Sequence, residues 1–140
     1  MLSRRRARND SSVHSSPRHF LTLLDFTSEE LRDLIDRAMK LKNNMRSGLI
    51  QKETRPGKVL AMIFEKSSTR TRVSFEVGIS HLGGKAIFLS PSNTQLGRGE
   101  PLKDTARVLS RYCDVLAIRT YAQEELLEYA HWSSIPVINA

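Results

Sequence analysis

Five consecutive residues in this chain are suited to holding an anion: Ser68, Thr69, Arg70, Thr71 and Arg72 set three hydroxyls and two guanidiniums side by side. A hydroxyl donates one hydrogen bond, and a guanidinium offers a planar fork of donors that matches carboxylate or phosphate oxygens. The run follows residues 58–64, KVLAMIF, an apolar stretch too short for a helix and without polar alternation. Such a stretch reads as a strand buried on both faces of a parallel sheet. Residues 73–82 then read as a helix closed by Gly83 and Gly84. The cluster therefore stands at a strand-to-helix turn. Open α/β sheets bind ligands beyond the carboxyl ends of their strands, and a first helical turn supplies unpaired N–H groups and a positive dipole end. Phosphate suits that setting best. A Ser/Thr helix cap with solvent-exposed arginines fits the same spacing, which alone does not separate the two readings.

A second cation belongs to the same edge. Residues 115–118 read as another apolar strand and end in Arg119, an arginine placed to point over the sheet edge that carries the first cluster. A salt bridge to a surface acid is the alternative. The lone Cys113 cannot form an intrachain disulfide, and it falls on the apolar side of a helix, as a small buried hydrophobe would. No Cys/His grouping has metal-ligand spacing, so no zinc site is expected. None of His14, His19, His81 and His131 is assigned to catalysis.

These groups need a scaffold, and the hydrophobic pattern supplies one. Thr27 with Glu30 forms a capping-box signature, with Phe26 and Leu31 as its hydrophobic staple. Leu31, Leu34, Ile35, Ala38, Leu41 and Met45 then recur on one face as far as Gly48, which predicts a core-packing helix. Residues 85–89 predict a second strand, 102–113 a helix opened by Pro101, 123–131 a short helix and 135–139 a fourth strand. Residues 90–100 form a long polar loop of the kind that often carries function. Asp104 and Arg107 are spaced to pair across a helical turn. The implied fold is α/β: a parallel sheet with helices on both faces, βαβαβαβ after an N-terminal helix.

The motifs resemble a known family. Phe64-Glu65-Lys66, then Ser68-Thr69-Arg70-Thr71-Arg72 and Ser74-Phe75-Glu76, are similar to the phosphate-binding signature of the carbamoyltransferases, and the likeness runs from His19-Phe20-Leu21 to the last residue. Glu-Lys plus one spacer resembles the ornithine-type enzymes, whereas aspartate-type enzymes usually carry Pro just before the run. Ser92-Asn93-Thr94-Gln95-Leu96-Gly97 resembles the loop that the family extends into a neighbouring subunit, with Gln95 at the reaching position. Ala117-Ile118-Arg119 matches the family's carbonyl-binding arginine.

The resemblance implies transfer of a carbamoyl group from carbamoyl phosphate to L-ornithine, giving citrulline and phosphate in arginine biosynthesis. It implies catalytic roles for Arg70 and Arg119, and carbamoyl phosphate contacts from Ser68, Thr69, Arg70, Thr71, Gln95 and Arg119. It also implies a homotrimer and no cofactor. In the relatives, residue 140 leads into a His-Pro-x-Gln segment and a second, amino-acid-binding domain. Residues 19–140 are therefore expected to be the truncated first domain of a two-domain enzyme, inactive alone. An aspartate carbamoyltransferase, or a non-catalytic fragment binding phosphate or nucleic acid, are the competing expectations.

Composition bears on the last of these. The formal charge is +7, but residues 1–19 hold Arg4, Arg5, Arg6, Arg8 and Arg18 against Asp10, a net of +4, leaving +3 over 121 residues. That balance argues against a basic nucleic-acid surface on the folded part. Residues 1–18 are expected to be a basic, disordered extension. Their likeness to an organelle transit peptide ranks below a plain solvated tail, because few residues in them are apolar. A cytoplasmic location with no membrane partner is expected.

Overall fold

The computed structural model describes residues 16–49, 54–90, 92 and 99–140. Most of the basic extension, and the Gln95 loop, lie outside the described residues. The elements are α1 (Ser28–Arg46), β1 (Val59–Phe64), α2 (Thr69–His81), β2 (Lys85–Leu89), α3 (Leu102–Tyr112), β3 (Val115–Arg119), α4 (Gln123–Trp132) and β4 (Val137–Asn139).

The four strands form one sheet in the order β2-β1-β3-β4, and every pairing is parallel. The apolar run of β1 explains its place. Five of its six residues are buried, with β2 on one side and β3 on the other. Successive side chains on a strand point to opposite faces. Ala61, Ile63, Leu116, Ile118 and Val137 accordingly pack with Ala106, Leu126, Tyr129 and Ala130 of α3 and α4. Leu60, Met62, Phe64 and Ala117 point the other way, toward Phe75 and Ile79 of α2. This is the expected α/β arrangement with helices on both faces. No described helix is long and apolar enough to cross a membrane.

Local signals hold at several ends. The Thr27 N–H donates to Glu30 at 2.9 Å and the Glu30 N–H to Thr27 at 3.2 Å, completing the capping box. Arg18 adds two bonds to the Glu30 carboxylate, at 2.6 and 2.7 Å, and with the Thr27 amide these hold the Glu30 pKa down at about 2. Gly83, at φ 84°, follows α2 as the Gly pair predicts. At Gly84 a Cβ would meet the Lys58 carbonyl oxygen at 2.7 Å, so only glycine lets the chain pass that close.

Four expectations need correction. First, α2 begins at Thr69, a turn earlier than residue 73, so the Thr-Arg-Thr-Arg run is itself helical. Hydrophobic periodicity cannot see a first turn made of polar residues.

Second, α1 is no core-packing helix within these residues. It contributes no buried residue, and Leu34, Ile35 and Met45 are 46%, 60% and 43% exposed. Periodicity predicts an apolar face but not whether a surface meets it.

Third, Arg107 lies over the Trp132 ring at 4.5 Å instead of pairing with Asp104, cation–π stacking having replaced the ion pair. Fourth, residues 135 and 136 precede β4, although the Pro136 carbonyl still accepts from the Leu116 N–H at 2.9 Å. The sequence also gave no hint that Phe20 would run parallel to β4, its N–H bonded to Val137 and its carbonyl to the Asn139 N–H, each at 2.8 Å.

Candidate functional site

The carboxyl ends of β1 and β3 meet at one place. Phe64 pairs in register with Arg119, and the Glu65 N–H donates to the Arg119 carbonyl at 2.9 Å, the last backbone bond before the two chains separate. From Glu65 the chain turns over Lys66 and Ser67 into α2, with Ser68 as the N-cap. From Arg119 it turns over Thr120 and Tyr121 into α4. The parallel ladder thus brings together two segments that are far apart in sequence.

On the α2 side, the Ser68 hydroxyl donates to the Thr71 hydroxyl at 2.9 Å instead of capping a backbone N–H. The first N–H groups of α2 therefore face outward without a side-chain cap, and they carry the positive end of the helix dipole. A cleft of about 380 Å³ opens there, lined by Ser67, Ser68, Thr69 and Arg72 with Phe64 and Phe88. Arg72 is held: its Nε donates to Glu76 at 2.9 Å and its guanidinium lies 3.7 Å from the Phe88 ring centroid. It forms one wall of the cleft.

Arg70 sits apart from that cleft. It is exposed on the first turn of α2, at the rim of a wide apolar groove between α1, α2 and the sheet. Ser68, Thr69 and Thr71 therefore gather at the helix start, with Arg70 on the adjoining side. Gln95 lies outside the described residues.

On the β3 side, Arg119 is half-buried. Its Nη1 donates to the Ala140 carbonyl at 3.1 Å, while its Nε is buried with no partner among the described residues. The guanidinium as a whole is only half-buried, and its accessible donors could bond an anion placed at the strand tip.

A third set of residues was not predicted. The Thr120 hydroxyl reaches Glu65 at 2.9 Å and also contacts Glu125 of α4, and the Lys66 ammonium lies 4.4 Å from the Tyr121 ring centroid. Polar residues directly after both strands were the available signal, but their meeting depends on the strand register.

The remaining titratable groups stand away from this edge. Cys113 is buried at the end of α3, and burial, reinforced by Asp114, pushes its thiol pKa up, the opposite of an activated nucleophile. His19 accepts from the Val137 N–H at 3.1 Å through Nδ1, and burial lowers its pKa. His81 and His131 are exposed.

Comparison with known proteins identifies the family and the fold. Residues 18–140 match the family described as aspartate/ornithine carbamoyltransferase, carbamoyl-P binding domain. The chain is 56% identical over 125 residues to an ornithine carbamoyltransferase of Psychrobacter arcticus, covering 89% of this chain and 40% of that protein. Its fold is similar to ornithine carbamoyltransferase from Pyrococcus furiosus, with a TM-score of 0.82 at 45% identity over 89% of this chain and 39% of that one. It is also similar to the catalytic subunit of M. jannaschii aspartate transcarbamoylase, with a TM-score of 0.78 at 32% identity over 87% of this chain and 40% of that one. The chain thus spans about 40% of the length of the relatives it matches.

Proposed function

The chain belongs to the aspartate/ornithine carbamoyltransferase family, matched over the carbamoyl-phosphate-binding domain, and from that premise we propose that it supplies the carbamoyl phosphate half of an ornithine carbamoyltransferase site. The observation that carries the reading is the meeting of two features at one sheet edge. These are the Ser68 and Thr71 hydroxyl pair at the open start of α2, and the half-buried Arg119 guanidinium at the tip of β3. Identity favours the ornithine type, at 56% and 45% for the two ornithine enzymes against 32% for the aspartate enzyme.

The chemistry follows from charge. The N–H groups of the first turn of α2 and the hydroxyls of Ser68, Thr69 and Thr71 hold the phosphate dianion, and the exposed Arg70 side chain swings in from the adjoining side of the same turn to join them. The uncharged side-chain amine of ornithine attacks the carbamoyl carbon with its lone pair. The carbonyl oxygen then takes up negative charge, which Arg119, assisted by Thr71, stabilises. As the tetrahedral carbon collapses, the bond to the bridging oxygen breaks and its electron pair leaves with phosphate. A phosphate oxygen takes the amine proton. Catalysis of this kind is mostly positioning and electrostatics.

Within the proposal, residues 19–140 form the carbamoyl phosphate domain and the remaining polypeptide of the relatives grips ornithine. Gln95 reaches into a neighbouring subunit of a homotrimer, and the enzyme works in the cytoplasm in arginine biosynthesis. The test is calorimetric titration of the 140-residue chain with carbamoyl phosphate, before and after Arg70→Ala. Loss of the charge-assisted bonds should weaken binding about 10- to 100-fold, while the melting transition stays in place. Equal affinity in the two forms would end the proposal.

A further inference from the structure

The two halves of the proposed site hang from different strands, and the backbone ladder joins them only as far as the Glu65 N–H bond to the Arg119 carbonyl, at 2.9 Å. Beyond that bond, nothing in the sheet fixes the separation between the start of α2 and the tip of β3. Side chains do the rest. Two consecutive residues after β1, Glu65 and Lys66, face two consecutive residues after β3, Thr120 and Tyr121.

We propose that Thr120 is a positioning residue which, with Glu65 and Glu125, clasps the tip of β3 to the tip of β1 and so sets the span between the Ser68 and Thr71 hydroxyls and Arg119. The inference rests on the proposed carbamoyl phosphate site and deepens it. Thr120 neighbours Arg119 directly, and its oxygen has three partners. It donates toward Glu65 at 2.9 Å, contacts Glu125, and accepts the Ala122 N–H at 3.3 Å. A hydroxyl carries one proton, so the two carboxylates share a single donor.

Each partner ties a different element. Glu65 opens the turn that leads into Ser68, while Glu125 lies in the first turn of α4. A negative side chain there is favoured by the helix dipole, which steadies the clasp on the well-packed side of the sheet. Lys66 over the Tyr121 ring forms a second strap beside the first. Tyr129 lies fully buried in α4, and its hydroxyl pKa is raised first by burial and then by the carboxylates around it, Glu65 and Glu125 foremost.

The function of such a clasp is dimensional. A ligand held at its phosphate end by one strand tip and at its carbonyl end by the other binds well only when those tips are held within about 0.5 Å of the productive distance. A free phosphate needs only the α2 end. Loosening the clasp should therefore penalise the bridging ligand and spare the simple anion.

The 140-residue chain with Thr120→Val, Thr120→Ser or Glu125→Gln is titrated at low temperature with carbamoyl phosphate and, separately, with inorganic phosphate. Amide hydrogen exchange is followed at Glu65, Met62 and Leu116. Thr120→Val should weaken carbamoyl phosphate about tenfold and leave inorganic phosphate within about twofold, and Thr120→Ser should restore the original ratio. Exchange at Glu65 should rise about tenfold while Met62 and Leu116 keep their rates.

Equal weakening of both ligands, or unchanged exchange at Glu65 in Thr120→Val, would overturn the clasp. If Thr120→Val does not fold, Thr120→Ala, which also lacks the hydroxyl, decides by the same two readouts, with Glu125→Gln as the control that keeps an acceptor. Should the unaltered chain bind neither ligand, the proposed function fails, and the exchange data still decide the clasp.

Discussion

The two faces of the sheet differ in kind, although the same strands make both. Under α3 and α4 the core is closed: Ala106, Leu126, Tyr129 and Ala130 are buried against Ile63, Leu116, Ile118 and Val137. Under α1 and α2, Leu60, Met62, Phe64 and Ala117 are buried against half-buried neighbours such as Phe75 and Ile79, yet neither helix has a fully buried residue of its own. An apolar groove of about 1190 Å³ runs between those helices and the sheet. The difference bears on the site. Arg119 and the clasp rest on the closed side through α4, whereas the hydroxyl cluster rides on α2, the less anchored helix.

The comparison breaks most readily at Leu126, which is 1% exposed. Leu126→Ala should destabilise the chain by about 2–5 kcal/mol, the range for an aliphatic side chain deleted from a filled core. Urea denaturation measures it. A loss below about 1 kcal/mol would mean the closed face is not the main source of stability.

A smaller effect sharpens the picture at the β4 edge. His19 holds Val137 by accepting its N–H, and burial depresses its pKa from 6.5. A group depressed in the folded state favours folding above its unfolded pKa, and that contribution fades as pH falls through the folded value. The melting midpoint should therefore decline below about pH 6.5, and His19→Gln should flatten the decline. An unchanged pH slope in that variant would remove His19 as the cause.

The smallest change belongs to the open face. Val77 is 45% exposed, so Val77→Ala should shift stability by no more than about 0.5 kcal/mol in the same denaturation assay. A loss matching that of Leu126→Ala would abolish the distinction between the faces.

How far the sequence disclosed this depends on the range of each interaction. Residues 85–89 form the strand that the sequence predicts, because a short, mostly apolar run between turn signals is a local property. The hydroxyl-and-guanidinium run was legible for the same reason, since Ser68, Thr69, Arg70 and Thr71 are adjacent, but not that Arg70 lines the groove beside the cleft and not the cleft itself. The start of α2 at Thr69 was not legible, since Thr-Arg-Thr-Arg shows no hydrophobic period. The clasp was hidden more deeply. It joins Glu65 to Thr120, 55 positions apart, through a register fixed only when Phe64 lies opposite Arg119. The stripe on α1 was read correctly as apolar and wrongly as buried, because burial is a property of two surfaces and the sequence of α1 describes one.

The strand order β2-β1-β3-β4 has a consequence for biosynthesis. β1 is flanked on both sides, and its second neighbour is completed only at Arg119, 55 residues after Phe64. At a synthesis rate of about 5–20 residues per second, the edge of β1 stays unpaired for several seconds as the nascent chain leaves the ribosome. Through that interval the second edge of β1 keeps its backbone N–H and C=O groups open to stray strands, a hazard that ends when β3 pairs with it.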